Sequence, residues 1–438
     1  MDEKRFESKY PPDSRFSEVE RIFSFVKAGK SAQVVGLPGV GRSQILGLLS
    51  FNKNVRIAHV GQNEEKEFHF VLINFSEIKG KPLSEVTKFI FLSLIDSLRL
   101  RDILKDSDSK KELEISSSIF KNSFASGDNL VIFNALKRNI DFLCTEKGLS
   151  IIFLFDRFEE YVGSLDEEFF INLRSLRDQA KYKFSVLFSL KTPIEEILEP
   201  EIYEPFYEFF QSNIIYLPIE DKPGLKFRIE YLEKTTGVKF PKDVVDKTIV
   251  LTGGHGKLTR ACLESYEENG DLTKFYLSKN AVRSTLSEIW KSFTPQEQNY
   301  LKNKGTDTPQ YLLNVRIISE GKITIPLFEE YIKSIETKEE KFVFDLQRNE
   351  ITKGEFLIST GLTKMEFKFL KFLIEKEGQV LERDQIIDAV WGEQKSTAGV
   401  TDQALDQLLF RLRKKIEENP NFPKHILSVK GRGIEFRQ

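Results

Sequence analysis

The sequence predicts an α/β protein: a parallel sheet with helices on both faces, then helical segments, then a small α+β domain at the carboxyl end. Three observations predict it. Five short apolar runs alternate with helical patterns up to about residue 220. The first run passes through a glycine-rich turn, Gly36-Leu37-Pro38-Gly39-Val40-Gly41-Arg42-Ser43, into a helical pattern. From Lys341 onward, short extended stretches surround three helical patterns, the last of them long.

The strand candidates are 32–35, 70–75, 150–155, 184–190 and 213–217. Short apolar strands separated by helices build a sheet covered on both faces. The stretch 102–128 is rich in Ser, Lys and Glu and is expected to be a partly mobile insertion. Residues 221–269 read as helical. Residues 280–334 read as a small helical domain closing on a hairpin whose turn is Glu320-Gly321-Lys322. A charged linker spans 336–341. The expected segments are therefore 1–220, 221–275, 276–335 and 341–438.

A chain of 438 residues has room for about two to four domains. With 40% hydrophobic and 30% charged residues it can bury real cores, and its 38 Phe fall mostly in periodic runs read as core. The net charge of −2 gives no overall basic footprint, so any nucleic-acid surface must be local. Cys144 and Cys262 lie in apolar helical stretches, and His59, His69, His255 and His425 are scattered. That argues against a disulfide framework and a zinc site. The polar amino-terminal stretch has no apolar signal core, and the longest pure apolar run, 151–155, is strand-sized. A cytoplasmic protein with no membrane partner is expected.

The glycine-rich turn has G-x-x-x-x-G-K-S spacing with Arg42 in the lysine position. Gly39 and Gly41 let backbone N–H groups curl around phosphate oxygens. The helix that follows aims its dipole at the same anion. Ser43 offers a hydroxyl to Mg²⁺, and Arg42 supplies a cation in a bulkier planar form than lysine. Gly36, Gly39, Gly41, Arg42, Ser43 and Gln44 are the candidates for binding ATP or ADP.

The run 150–155 ends in Asp156-Arg157-Phe158-Glu159-Glu160. An apolar strand ending in acid, placed after a phosphate loop, is a Walker B pattern. Asp156 is the metal candidate, and Glu159 or Glu160 the carboxylate that would orient water.

These features resemble the AAA+/STAND class of P-loop ATPases. The resemblance implies that Ser189, at the end of the next strand, contacts the outer phosphate. Arg174 and Arg177 would be either an arginine finger or a solvated face, the latter preferred. Leu251-Thr252-Gly253-Gly254-His255-Gly256-Lys257-Leu258-Thr259-Arg260 resembles the G-G-H-P turn that opens a STAND lid helix, with Gly256 in place of proline. His255 and Arg260 become sensor candidates. The stretch 284–298 resembles the start of the STAND winged helix, with Thr294 as a helix cap. Self-association through the ATPase module stays open.

The end of the chain resembles the OmpR/PhoB winged helix in four blocks: Leu362-Thr363-Lys364-Met365-Glu366-Phe367, Arg383-Asp384-Gln385-Ile386 through Val390-Trp391-Gly392, Arg411-Leu412-Arg413-Lys414-Lys415, and Ser428-Val429-Lys430-Gly431-Arg432-Gly433. The resemblance implies double-stranded DNA as partner and a four-stranded lead-in sheet over 341–358. In the long helix, 401–418, Leu405, Leu409, Leu412 and Ile416 form one apolar stripe, opposed by Gln403, Gln407, Phe410, Arg411 and Lys414. Arg413, Lys414 and Lys415 are phosphate candidates, and Lys430 and Arg432 tip the wing. Asp402 and Asp406 weaken the patch.

The expected function is a nucleotide-regulated DNA-binding protein, a transcriptional regulator in which the ATPase module controls the winged helix. Two alternatives stand beside it: a defence or mobile-element ATPase that assembles on DNA, and a non-hydrolysing, nucleotide-bound scaffold. Arg42 and Arg157 leave hydrolysis open.

Overall fold

Each of the five apolar runs forms a strand: β1 (Ala32–Val35), β2 (Phe68–Asn74), β3 (Ser150–Asp156), β4 (Phe184–Leu190) and β5 (Ile214–Tyr216). All pairings are parallel, in the order β2-β3-β4-β1-β5. β2 stops one residue short of Phe75 because the Asn74 side chain accepts the Ser76 N–H (3.2 Å) and turns the backbone. Every residue of β1 and β4 is buried, as a strand covered on both faces requires.

The computed structural model describes residues 5–101, 110–111, 114–115, 118, 129–266, 272–303, 305, 307–337, 341–354, 356–392, 402–417, 420, 422–429 and 431–438. Most of the polar stretch 102–128, the middle of the linker 336–341, and Thr401, Glu418 and Lys430 lie outside the described residues. Among the described residues no helix is long and apolar enough to cross a membrane.

The chain forms two compact units, Met1–Tyr331 and Ile332–Gln438. In the first, the strand order reverses around β1, and such a reversal opens a crevice at the carboxyl ends of the strands. The register pairs Val34 with Ser189 and Phe155 with Phe188, so β1, β3 and β4 end at one level. Phe75, Phe155, Phe158 and Phe188 pack ring against ring beneath that level, with centroids 4.9 Å apart for Phe75–Phe155 and 5.0 Å for Phe158–Phe188. They anchor the backbone on both sides of Asp156.

Helices Lys222–Thr236, Lys242–Thr252 and Gly256–Glu264 follow the sheet. Asp221 caps the first, and also accepts from Ser14 Oγ (2.7 Å), tying the start of the chain to this helix. The hairpin β6 (Ile318–Ser319) and β7 (Lys322–Ile323) turns at Glu320 and Gly321, both at positive φ, the geometry a two-residue hairpin turn favours. Thr294 and Glu297 exchange capping hydrogen bonds at the start of helix Pro295–Asn303.

One expectation about the surface fails. Arg177 is buried, donating from Nη2 to Gly29 O (3.1 Å) between the rings of Tyr182 and Phe209. Only Arg174 keeps a half-exposed side chain, paired with Glu208 at 3.0 Å.

In the second unit β8 (Phe342–Asp345), β9 (Glu350–Lys353) and β10 (Phe356–Leu357) form an antiparallel sheet. The lead-in sheet is therefore three-stranded among the described residues, not four-stranded. Helix Lys364–Glu375 opens on a capping box between Thr363 and Glu366, as the sequence predicts. Then come β11 (Val380–Leu381), helices Arg383–Trp391 and Asp402–Ile416, and the pair β12 (Ile426–Val429) and β13 (Gly433–Phe436), in sheet order β11-β13-β12. Leu405, Leu409, Leu412 and Ile416 join Phe369, Ile386 and Phe436 in one core.

Candidate functional site

The loop between β1 and helix Arg42–Phe51 is held from outside by its carbonyls. Arg15 donates from Nη2 to Val40 O (2.6 Å), His255 Nε2 bonds Pro38 O (2.8 Å), and Lys257 N–H donates to Gly39 O (3.2 Å). A trans peptide sets its N–H opposite its C=O, so the N–H groups of Gly39 and Gly41 face away from those clamps. Gly39 and Gly41 sit at φ +83° and +108°, a region that favours glycine. At Gly39 a Cβ would also strike His255 Cε1 at 2.8 Å. Gly36 docks the start of the loop by donating to Leu190 O (3.2 Å).

Inside the loop, Ser43 Oγ donates to Asp156 Oδ1 (2.9 Å), and Ser189 Oγ reaches the same oxygen at 3.4 Å. Asp156 is buried. Hydroxyl and carboxylate oxygens of this kind suit Mg²⁺ that keeps waters and binds phosphate oxygens. Among the described residues Gln44 Nε2 is buried without a partner, a donor fitted to an acceptor on a ligand. The residues present thus fit a magnesium-bound nucleotide.

Arg42 and Glu159 form an ion pair, Nη1 to Oε1 at 3.0 Å, with both side chains largely buried. Lys191 Nζ lies 4.0 Å from the same carboxylate oxygen. Glu160 is engaged elsewhere, 3.9 Å from Arg157, whose backbone is left-handed. Of the two carboxylates, Glu159 pairs with Arg42 of the loop, and Glu160 pairs with Arg157.

His255 is placed differently from the sequence expectation. Its Nδ1 accepts the Leu258 N–H (3.1 Å) and caps helix Gly256–Glu264, so Nε2 carries the proton given to Pro38 O. Both ring nitrogens are committed to backbone, and neither is left to face a ligand. Complete burial pushes its pKa down to about 4, so the ring is neutral. It joins helix Gly256–Glu264 to the loop. Arg260 pairs with Glu264 (2.8 Å) on an exposed face.

Two residues of this region, Arg15 and Arg228, escape sequence reasoning. Arg15 is buried, and its guanidinium spans Val40 O and Pro218 O (2.8 Å). Arg228 Nε donates to Tyr10 Oη (2.7 Å). Arg228 also borders a cavity of about 290 Å³ lined by Phe6, Leu225, Leu232, Gly256 and Thr259. Gly256 sets that cavity against the loop, its Cβ position 3.6 Å from Gly39 O.

In the second unit, helix Asp402–Ile416 leaves Gln403, Gln407, Phe410, Arg411 and Lys414 exposed. Arg411 and Lys414 have no ion-pair partner among the described residues. Arg413 is a correction. Its Nε and Nη2 donate to Ile426 O (3.0 and 2.7 Å) and Nη2 to Ser428 Oγ (2.9 Å), so it clamps the helix to β12. Lys415 is likewise taken, by Gly361 O (2.8 Å) and Glu366 (2.6 Å). Arg383 reaches both Asp402 and Asp406 at 2.6 Å, which offsets part of the acidity expected to weaken the patch. Arg432 is exposed at the wing, between Gly431 and Gly433, both at positive φ; Lys430 lies outside the described residues.

Strand order, loop and acidic strand end define the first unit as a P-loop ATPase fold, and the second unit is an OmpR/PhoB-type winged helix. Residues 359–436 match the family described as transcriptional regulatory protein, C terminal. The sensory transduction protein RegX3 of Mycobacterium leprae is 38% identical over 92 residues, covering 21% of this chain and 44% of that protein. The chain spans less than half the length of the curated relatives it matches. A Walker-type ATPase of Pyrococcus abyssi is similar over 75% of this chain and 97% of its own, at 15% identity and a TM-score of 0.48. The DNA-binding domain of RstA from Klebsiella pneumoniae, solved in complex with the RstA box, covers 22% of this chain and 90% of its own, at 25% identity and a TM-score of 0.19.

Proposed function

We propose that the chain is a nucleotide-regulated DNA-binding protein, in which the P-loop unit binds ATP or ADP with Mg²⁺ and its state governs the winged helix. One observation carries the reading: a single chain holds both a Ser43–Asp156 pair at 2.9 Å inside a phosphate loop and an exposed stripe of Gln403, Gln407, Arg411 and Lys414.

Gly39, Gly41 and the first turn of helix Arg42–Phe51 cradle the phosphates, Arg42 supplies positive charge, and Ser43 with Asp156 holds the metal. Mg²⁺, when bound, neutralises phosphate charge. Ser189 orients Asp156. His255 and Lys257 make lid position sensitive to loop shape, because their partners are loop carbonyls. In the winged helix, Gln403 and Gln407 meet base edges, while Arg411, Lys414, Lys430 and Arg432 meet phosphates.

The ion pair between Arg42 and Glu159 favours a second reading of the first unit, as a binding switch with little hydrolysis. The carboxylate that would orient water instead neutralises the loop's cation. Steady-state turnover compared with an Asp156→Ala control separates the two. Turnover above the control supports hydrolysis, and equal rates support the switch. For the second unit, charge reversal at Arg411, Lys414 and Arg432 together should abolish salt-sensitive duplex binding. Unchanged binding would remove this surface from the account.

A further inference from the structure

The outward face of helix Asp402–Ile416 carries one residue that charge does not explain. Phe410 is 58% exposed. Gln403, Gln407, Phe410 and Lys414 recur at i, i+4, i+7 and i+11, parallel to the buried stripe Leu405, Leu409, Leu412 and Ile416. The ring thus stands in the middle of the polar contact stripe, where the hydrophobic effect opposes leaving it in water. Asp406, a possible repulsive neighbour, is drawn to Arg383 at 2.6 Å. Arg411 and Lys414, both exposed, supply the cations an anionic partner needs.

The major groove of DNA offers one prominent apolar feature at the base edges, the C5-methyl of thymine. Glutamine amides match adenine N6 and N7 in the same groove. Along a helix, three residues rise about 4.5 Å, close to the roughly 3.4 Å between successive base pairs. We propose that Phe410 is a specificity-determining residue that packs on a thymine methyl, with Gln407 on the adenine of an adjoining pair, so that the helix selects A·T steps. This rests on the helix entering the major groove. Phe410 lies outside the hydrophobic core and alanine favours helix, so Phe410→Ala keeps the fold.

The test uses the full chain and duplexes enriched by it from a random pool. Each thymine of the enriched site is replaced singly by deoxyuridine, which removes the methyl alone. The wild type should lose about four-fold in affinity at one or two positions, the effect of one buried methyl. Phe410→Ala should bind more weakly and show no loss at those positions. Wild-type binding indifferent to every replacement, or an equal loss in Phe410→Ala, overturns the proposal. If duplex binding is salt-dependent but methyl-independent, only the role of Phe410 falls. If no duplex is enriched and none is bound in a salt-dependent way, the groove reading falls with it.

Discussion

Arg42 Nη1 lies 3.0 Å from Glu159 Oε1, so the cation of the phosphate loop is already paired by the acidic end of β3. An incoming phosphate must compete with that carboxylate. Glu159→Gln removes the competing charge while keeping the shape. It should tighten ATP binding about ten-fold, the effect expected when a close, largely buried charge pair is relieved. Titration with a fluorescent nucleotide analogue measures it, and an unchanged affinity would show that the pair does not restrain the loop.

Asp156 accepts from Ser43 and Ser189 and carries the metal assignment. Asp156→Asn keeps an acceptor oxygen but loses the charge. The gain in ATP affinity between EDTA and Mg²⁺ should shrink about ten-fold or more. Equal gains in the two proteins, by calorimetry, would take Asp156 out of the metal site.

His255 predicts a pH dependence. Its folded pKa, about 4, lies below the ordinary value of 6.5, so the unfolded chain binds the proton more readily. The stabilisation is fully present above about pH 6.5 and is lost as pH falls toward 4, amounting to roughly 3 kcal/mol. His255→Gln keeps a donor for Pro38 O without titrating. Between pH 7.5 and 5 the unfolding temperature of the wild type should drop more than that of the variant. Equal drops would mean that His255 is not held neutral.

Arg413 and Lys414 are neighbours with opposite assignments. Arg413→Ala should destabilise the winged helix by about 1.5–3 kcal/mol, through loss of charge-assisted hydrogen bonds to β12. Lys414→Ala should leave stability unchanged and lower the salt slope of duplex binding by about 1. Denaturant unfolding and salt titration of both variants decide; a stability loss in Lys414→Ala and none in Arg413→Ala would reverse the assignments.

The contrast between these neighbours shows what the sequence discloses. Periodicity encodes burial, so the five strands, the phosphate loop and the stripe Leu405, Leu409, Leu412, Ile416 are all readable, two strands to the residue. The Thr363–Glu366 capping box is local and equally readable. Arg413 resembles any cation at the end of a basic helix; only the position of β12, ten or more residues on, converts it into a clamp. Arg15, His255 and Arg228 act on the loop and its surroundings from three distant segments, and no spacing rule relates them to Val40, Pro38 or Tyr10. Arg177 reads as surface by composition, yet Tyr182 and Phe209 close over it.

The central claim is that nucleotide state governs the DNA reader. The most direct measurement is the equilibrium affinity of the full chain for an enriched duplex, at fixed salt, with ATP and Mg²⁺, with ADP and Mg²⁺, and with no nucleotide. The account predicts that at least one of the three differs from the others by five-fold or more, the lower end of typical allosteric coupling, and that Asp156→Asn flattens the difference. Identical affinities in all three states would contradict it.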